Sequence, residues 1–213
     1  MKKIMIIGAN GGTAKLLIEN QLNNTENQLI LFLRHAERLN QYQANPRVVL
    51  VDGDVLDTDT LANAMADADI VYSNVGGINL AEQTTSILTA MNQANKQRLI
   101  FISALGAHHE VPGKFGAWNE KAIAAFLPGF RSSAQLLMNS NVVYTEIRPA
   151  WLTDNHEVNY EITSQDEAFK GTEVSRASVA DLVARIIDDP EQYQRTSIGL
   201  DKPGTTADKP SWL

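Results

Sequence analysis

The chain has no cysteine, which removes disulfide scaffolds, thiol nucleophiles and cysteine metal sites and suits a reducing compartment. It lacks any apolar run near the ~18 residues that a membrane-spanning helix needs. Two lysines precede an apolar stretch at the N-terminus, but Ile4-Met5-Ile6-Ile7 stops at Gly8, too short for the core of a signal peptide. A cytoplasmic protein is expected. Positive charge is also scarce: 18 Lys and Arg face 25 Asp and Glu, a net charge of -7. Such a surface repels a polyanion, and with no local basic patch neither nucleic acid nor a membrane is an expected partner. Internal repeats and charge runs are absent too. What remains, 213 residues with 44% hydrophobic and 20% charged side chains, is ordinary for a globular chain able to bury a core, and one domain over 1–213 is expected.

The chain is organised around Ile4 to Ala14. A short, β-branched apolar run leads into Gly8-Ala9-Asn10-Gly11-Gly12-Thr13-Ala14, and a helical pattern through Leu16, Leu17, Ile18 and Leu22 follows. This reads as strand, tight turn, helix. Glycines there let main-chain N–H groups come close to a ligand, and the helix N-terminus adds roughly half a positive charge. The result is a pyrophosphate cradle of the dinucleotide-binding kind. Its spacing, Gly8-x-x-Gly11-x-x-Ala14, differs from the commoner G-x-G-x-x-G, and no Gly-Lys-Ser/Thr follows, so a P-loop is excluded. A glycine turn that binds nothing is the plain alternative.

Further strands are expected at Gln28 to Leu33, Val48 to Val51, Asp69 to Ser73, Arg98 to Ile102, Val142 to Ile147 and Tyr193 to Leu200. Helical stretches separate most of them, including one to about Ala66 and one from Leu80 to Asn95. This β/α alternation predicts an α/β fold, a doubly wound parallel Rossmann sheet. The second strand ends in Arg34-His35, with Arg38 one turn on. An acidic residue at that place selects NAD and a basic one accommodates the extra phosphate of NADP, so NADP(H) is expected over NAD(H); a solvated strand-end arginine is the alternative. Asp54 and Val55 are placed beside the adenine, although Asp54 can equally cap a turn. A second glycine turn, Asn74-Val75-Gly76-Gly77, lies on the same sheet edge. Val111 to Phe130, with Pro112, Gly113, Gly116, Pro128 and Gly129, reads as partly irregular. Segments 108–130 and 150–175 are expected to face the substrate, with Phe115, Trp151 and Tyr160 lining its pocket or simply packing. Ser178 is the expected N-cap of a helix to Asp188, and the tail 201–213 is expected to be mobile or docked on a partner.

Taken in order, GANGGTA, VDGDVLD, SNVGG, FISALGAH, YTEIRPAWLTD and VSRASVADLVARII resemble the atypical short-chain dehydrogenase/reductase group, the NmrA-like and NAD(P)H-binding proteins. The resemblance covers nearly the whole chain. It implies a Rossmann fold that binds NADP(H), with a small substrate-facing region near the C-terminus. By position it implies cofactor contacts at Gly8, Asn10, Gly11, Gly12, Thr13, Arg34, Asp54, Val55, Asn74, Val75 and Gly76.

The catalytic motif departs from that group's active members, which follow their serine with Tyr-x-x-x-Lys. Ser103 is present, but counting back from Tyr144-Thr145 puts the Tyr and Lys places at about Phe126 and Phe130. Trp118-x-x-Lys121 offers a lysine without a tyrosine. A general acid contributes about 10²- to 10⁴-fold, so an unactivated ketone would suffer from its loss. A quinone or flavin, whose reduced anion is delocalised, would suffer less. Ser103 and His108 are the candidate catalytic residues, and His109 is the neighbouring alternative donor. Adjacent histidines without a third ligand do not suggest a metal. The expected function is therefore an NADPH-dependent oxidoreductase acting on a small, electron-poor acceptor. The rival is a non-catalytic NADP(H)-binding, redox-sensing regulator with a protein partner. A sugar-nucleotide epimerase comes third, since the chain is short for that substrate domain.

Overall fold

Lys3 to Ile7 and Gln28 to Leu33 are apolar at nearly every position, and a strand keeps apolar groups on both faces only where both faces are covered. In the computed structural model, which describes residues 1–213, they are. The strands are β1 (Lys3–Ile7), β2 (Gln28–Leu33), β3 (Val48–Asp52), β4 (Ile70–Ser73), β5 (Arg98–Ile102), β6 (Val143–Pro149), β7 (Trp151–Thr153), β8 (Glu161–Thr163), β9 (Glu173–Ser175) and β10 (Thr196–Asp201). The helices are α1 (Gly12–Asn24), α2 (Thr58–Ala64), α3 (Leu80–Gln93), α4 (Gly113–Ala122), α5 (Leu127–Asn139) and α6 (Arg176–Asp188), with a 3-10 segment at Ala36–Tyr42. No helix is long and apolar enough to cross a membrane.

Eight strands form one sheet in the order β3-β2-β1-β4-β5-β6-β10-β8, all parallel except β8, which runs antiparallel to β10. This is the expected Rossmann fold. Along β1, Ile4 and Ile6 enter a core that includes Leu17 and Ile18 of α1 and Val183 and Ile187 of α6. Met5 and Ile7 enter the opposite core with Leu61 of α2, Ile87 and Met91 of α3 and Leu137 of α5. The strand order reverses between β1 and β4, and a crevice opens there at the carboxyl edge of the sheet.

Three expectations are corrected. Residues 111–130 are irregular only at 111–112 and in the turn at 123–126; the rest is helical, because the expected breakers sit at helix starts: Pro112 is the N-cap of α4 and Pro128 lies in the first turn of α5. Helix α6 starts at Arg176 with Ser175 as its N-cap, whose hydroxyl accepts from the Ser178 N–H at 3.0 Å; Ser178 is inside the first turn. The tail docks on its own chain, where the Ser211 N–H and hydroxyl both donate to the Glu173 carboxylate (2.9 and 2.8 Å) and Trp212 meets Trp151 edge-on.

Candidate functional site

The crevice is built from two turns that hold each other. The Gly8 N–H donates to Phe32 O at 3.0 Å, the Gly11 N–H to Gly8 O at 3.0 Å, and the Asn74 N–H to Ile7 O at 2.9 Å. Gly8 has φ +76, and a Cβ on it would lie 2.8 Å from Asn74 O; one on Gly11 would lie 2.2 Å from Asn74 Nδ2. Both positions must be glycine because the β4 turn is packed against them. Tyr72, wholly buried, donates its hydroxyl to Asn74 Oδ1 at 3.1 Å and fixes that side chain. Helix α1 then opens without a side-chain cap and without an acidic residue in its first turn. Its free N–H groups and dipole are left for an anion.

Of the expected contacts, Gly8, Asn10, Gly11, Arg34, Asp54, Val55, Asn74, Val75 and Gly76 line one cleft of about 650 Å³. Gly12 and Thr13 form the first turn of α1 beside it. Arg34 is three-quarters exposed at the end of β2, with Nη1 3.8 Å from Asp54 Oδ2, and Arg38 lines the same cleft. Asp54 Oδ1 accepts the Leu56 N–H at 3.0 Å, so it does cap a turn while its other oxygen faces Arg34. Sequence reading missed Asp52, which accepts the His35 and Ala36 N–H groups (3.3 and 3.0 Å) and shapes the turn that carries Arg34. With glycine at the close approaches, an uncapped helix N-terminus and a basic β2 end, the cleft fits a dinucleotide with an extra phosphate on its adenosine half.

A second cluster lies farther along the same edge. Glu146 on β6 sits opposite Phe101 of β5, and just past the end of β5 the Ser103 N–H donates to Ile147 O at 2.8 Å. His108 Nε2 is 2.7 Å from Glu146 Oε2, with side chains 10% and 1% exposed. Ser103 Oγ and Glu146 Oε1 are buried without partners. The segment carrying His108 is clamped by Glu110, whose carboxylate accepts the Gly106 and His108 N–H groups (2.9 and 3.0 Å) and pairs with the fully buried Arg148 at 2.6 Å. Burial pushes the Glu110 carboxyl up, but Arg148 and these donors outweigh it and hold it below the usual carboxylate range. His109 instead faces solvent near Glu120, and no group of His, Asp or Glu is arranged to hold a metal. Glu146, Glu110 and Arg148 escaped sequence reading. Their signal was an acid and a base two residues apart in a buried strand, where alternate positions share a face.

The aromatic side chains nearby form a stack. Phe115 and Trp118 of α4 lie 6.0 Å apart, Trp118 and Trp151 4.8 Å, and Trp151 and Trp212 6.1 Å; Trp151 Nε1 donates to Asn119 Oδ1 at 2.9 Å. Tyr160 stands apart, its hydroxyl donating to Asp181 of α6 at 2.7 Å. Phe126 is the N-cap residue of α5 and 40% exposed, and Phe130, one turn on, packs on the α3/α5 core. Lys121, in the last turn of α4, is exposed.

Residues 8–190 match the family model described as NAD(P)H-binding. The structure is similar to a short-chain dehydrogenase/reductase (wide type) from Veillonella parvula DSM 2008 in complex with NADP, with 29% identity, TM-score 0.93 and 99% of each chain covered. It is also similar to a Rossmann-fold NAD(P)-binding family protein from Shigella flexneri, with 36% identity, TM-score 0.82 and 100% of each chain covered. An isoflavone reductase-like protein of Olea europaea is 29% identical over 111 residues, 49% of this chain and 35% of that protein. Eugenol synthase 2 of Clarkia breweri is 30% identical over the same shares. The matches thus span about a third of the length of those curated relatives.

Proposed function

The chain belongs to the NAD(P)H-binding family and takes NADP(H) as its cofactor, and from that premise we propose that it is an oxidoreductase of the atypical short-chain dehydrogenase/reductase type. Its substrate is a small, electron-poor acceptor of the quinone or flavin kind. The observation that carries this reading is the buried His108–Glu146 pair at 2.7 Å, at the sheet's carboxyl edge. A buried carboxylate oxygen without a partner is uncommon, and beside a histidine at this edge it suits proton transfer.

When bound, NADPH supplies the hydride; the chain supplies the pocket and the proton. Glu146, 2.7 Å from Nε2, fixes the orientation of the ring. The other ring nitrogen makes no hydrogen bond within the chain and is free to donate to the acceptor's developing anion. Ser103 Oγ, buried without a partner in the chain, is left to orient the acceptor oxygen. The acceptor gains a hydride and one proton, and the proton lost from His108 is replaced from water. A histidine is a smaller help than a tyrosine–lysine pair would be. An acceptor whose reduced anion is delocalised needs less help, and the likeness to an isoflavone reductase-like protein supports a conjugated substrate.

Stopped-flow oxidation of bound NADPH against a panel of quinones and flavins tests this. Turnover above that of free NADPH is expected. No acceleration across the panel favours the second reading, an NADP(H)-binding regulator, which Phe126 and Phe130 support because neither donates a proton.

A further inference from the structure

Helix α6 begins at Arg176, and this side chain reaches across to the glycine turn. A Cβ placed on Gly12 would lie 3.0 Å from Arg176 Cδ and 3.2 Å from its Nε. The guanidinium is therefore held over the first residue of α1, the end that carries partial positive charge. It also stands at the N-terminus of its own helix, and neither α1 nor α6 has an acidic residue in its first turn. A cation at two helix N-termini has the wrong sign for both.

Its one compensating charge is Asp154, with Nη1 to Oδ1 at 2.7 Å. The pair is a product of register: Thr153 of β7 sits opposite Ser175 of β9, so the next residues along these parallel strands, Asp154 and Arg176, face each other. Asp154 is 91% exposed, and an ion pair so open to water holds weakly. A doubly charged pyrophosphate in the uncapped turn of α1 offers the same guanidinium two planar oxygen pairs instead of one.

We infer that Arg176 is a pyrophosphate clamp kept in place by Asp154: it pairs with Asp154 in the free protein and passes to the pyrophosphate when the dinucleotide enters. The exchange makes Asp154 a competitor of the cofactor. The clamp sits at the opposite end of the cofactor's adenosine half from Arg34, and it acts alike on phosphorylated and unphosphorylated dinucleotides. It rests on NADP(H) binding and is independent of the reductase reading.

Calorimetric titration of the whole chain with NADPH, NADH and adenosine 2′-monophosphate separates these roles. Arg176→Gln should weaken NADPH and NADH by a similar factor, on the order of tenfold, and leave adenosine 2′-monophosphate, which has no pyrophosphate, unchanged. Asp154→Asn should tighten both dinucleotides several-fold, and that gain should vanish when Arg176→Gln is also present. Arg176→Lys, which keeps the charge but loses the planar fork, should fall between. Thermal unfolding of each variant separates lost binding from lost fold. The clamp is overturned if folded Arg176→Gln or, should that variant not fold, folded Arg176→Lys binds both dinucleotides within twofold of the parent. It is equally overturned if Asp154→Asn weakens them. Failure of the parent to bind either dinucleotide would remove the cofactor itself, a result distinct from either.

Discussion

At the scale of single residues, the chemistry divides between Arg34 and the His108–Glu146 pair. Arg34 is three-quarters exposed and only loosely placed against Asp54 at 3.8 Å, so its guanidinium can turn to a phosphate at little cost. A charge-assisted bond of this kind contributes about 1.5–3 kcal/mol. Arg34→Gln is expected to weaken NADPH at least tenfold and leave NADH within twofold, as measured by titration; equal losses for both would place the 2′-phosphate elsewhere. His108 makes a separate prediction. His108→Asn should lower acceptor reduction by about 10²-fold, the low end for a general acid. Glu146→Gln should keep the fold but lower the rate by a smaller factor, since the ring loses the carboxylate that orients it. Rates unchanged in both variants would take proton transfer away from the pair.

Among the elements, the sequence was most legible where one physical rule acts alone. Strands β2 and β5 end where their apolar runs do and begin one residue before them, because a parallel strand buried on both faces has no polar alternation to blur its limits. The stretch 111–130 was illegible because proline and glycine were read as breakers when they serve as starters: Pro112 and Gly113 open α4, and Gly116 is glycine because a Cβ would strike Val111 O. The tail misled for another reason. Lack of periodicity says nothing about docking, and Thr205, Ser211 and Trp212 bind residues far away in sequence. In the site, the glycine turns could be read locally, whereas Glu146, Glu110 and Arg148 depend on which face of β6 meets the 103–110 segment. At the end of β10, Asp201 is fully buried, and neither oxygen has a donor in good hydrogen-bond geometry, the Gly171 N–H being near but poorly aligned. Burial first, and Glu161 second, push its carboxyl up to about 6, against opposing pulls from the Gly171 N–H and Lys170. A folded-state value above the ordinary 3.8 means that the folded chain holds this proton where the unfolded chain has lost it. Its stabilising contribution is complete below about pH 4 and is lost as pH rises through 6. Asp201→Asn should therefore raise the melting temperature by a few degrees at pH 8 and by almost nothing at pH 4. A gain that grows towards acid would reverse this sign and refute the assignment.

Across the whole molecule, the two halves of the sheet carry different work. The side with β1, β2 and β3 holds the glycine turn, Arg34 and Asp54, the proposed dinucleotide contacts. The side with β5, β6 and β10 holds the buried His108–Glu146 pair, proposed for proton transfer, and the same part of the chain carries the stack of Phe115, Trp118, Trp151 and Trp212. The chain has three tryptophans, and all three are in this stack, so tryptophan fluorescence reports only on the stack. Aromatic faces prefer offset or edge contacts with planar partners, worth about 0.5–1.5 kcal/mol beyond buried area. We propose this stack as the wall on which a planar quinone or flavin packs. Adenosine 2′-monophosphate, which fills only the Arg34 end, should leave the emission unchanged. A quinone added to the NADP-loaded protein should quench it with saturable dependence, and Trp151→Phe should remove most of that quench and weaken the acceptor severalfold without changing NADPH affinity. Quenching that survives Trp151→Phe in full would move the acceptor off this wall, while quenching by adenosine 2′-monophosphate would mean that the two ends of the crevice are coupled.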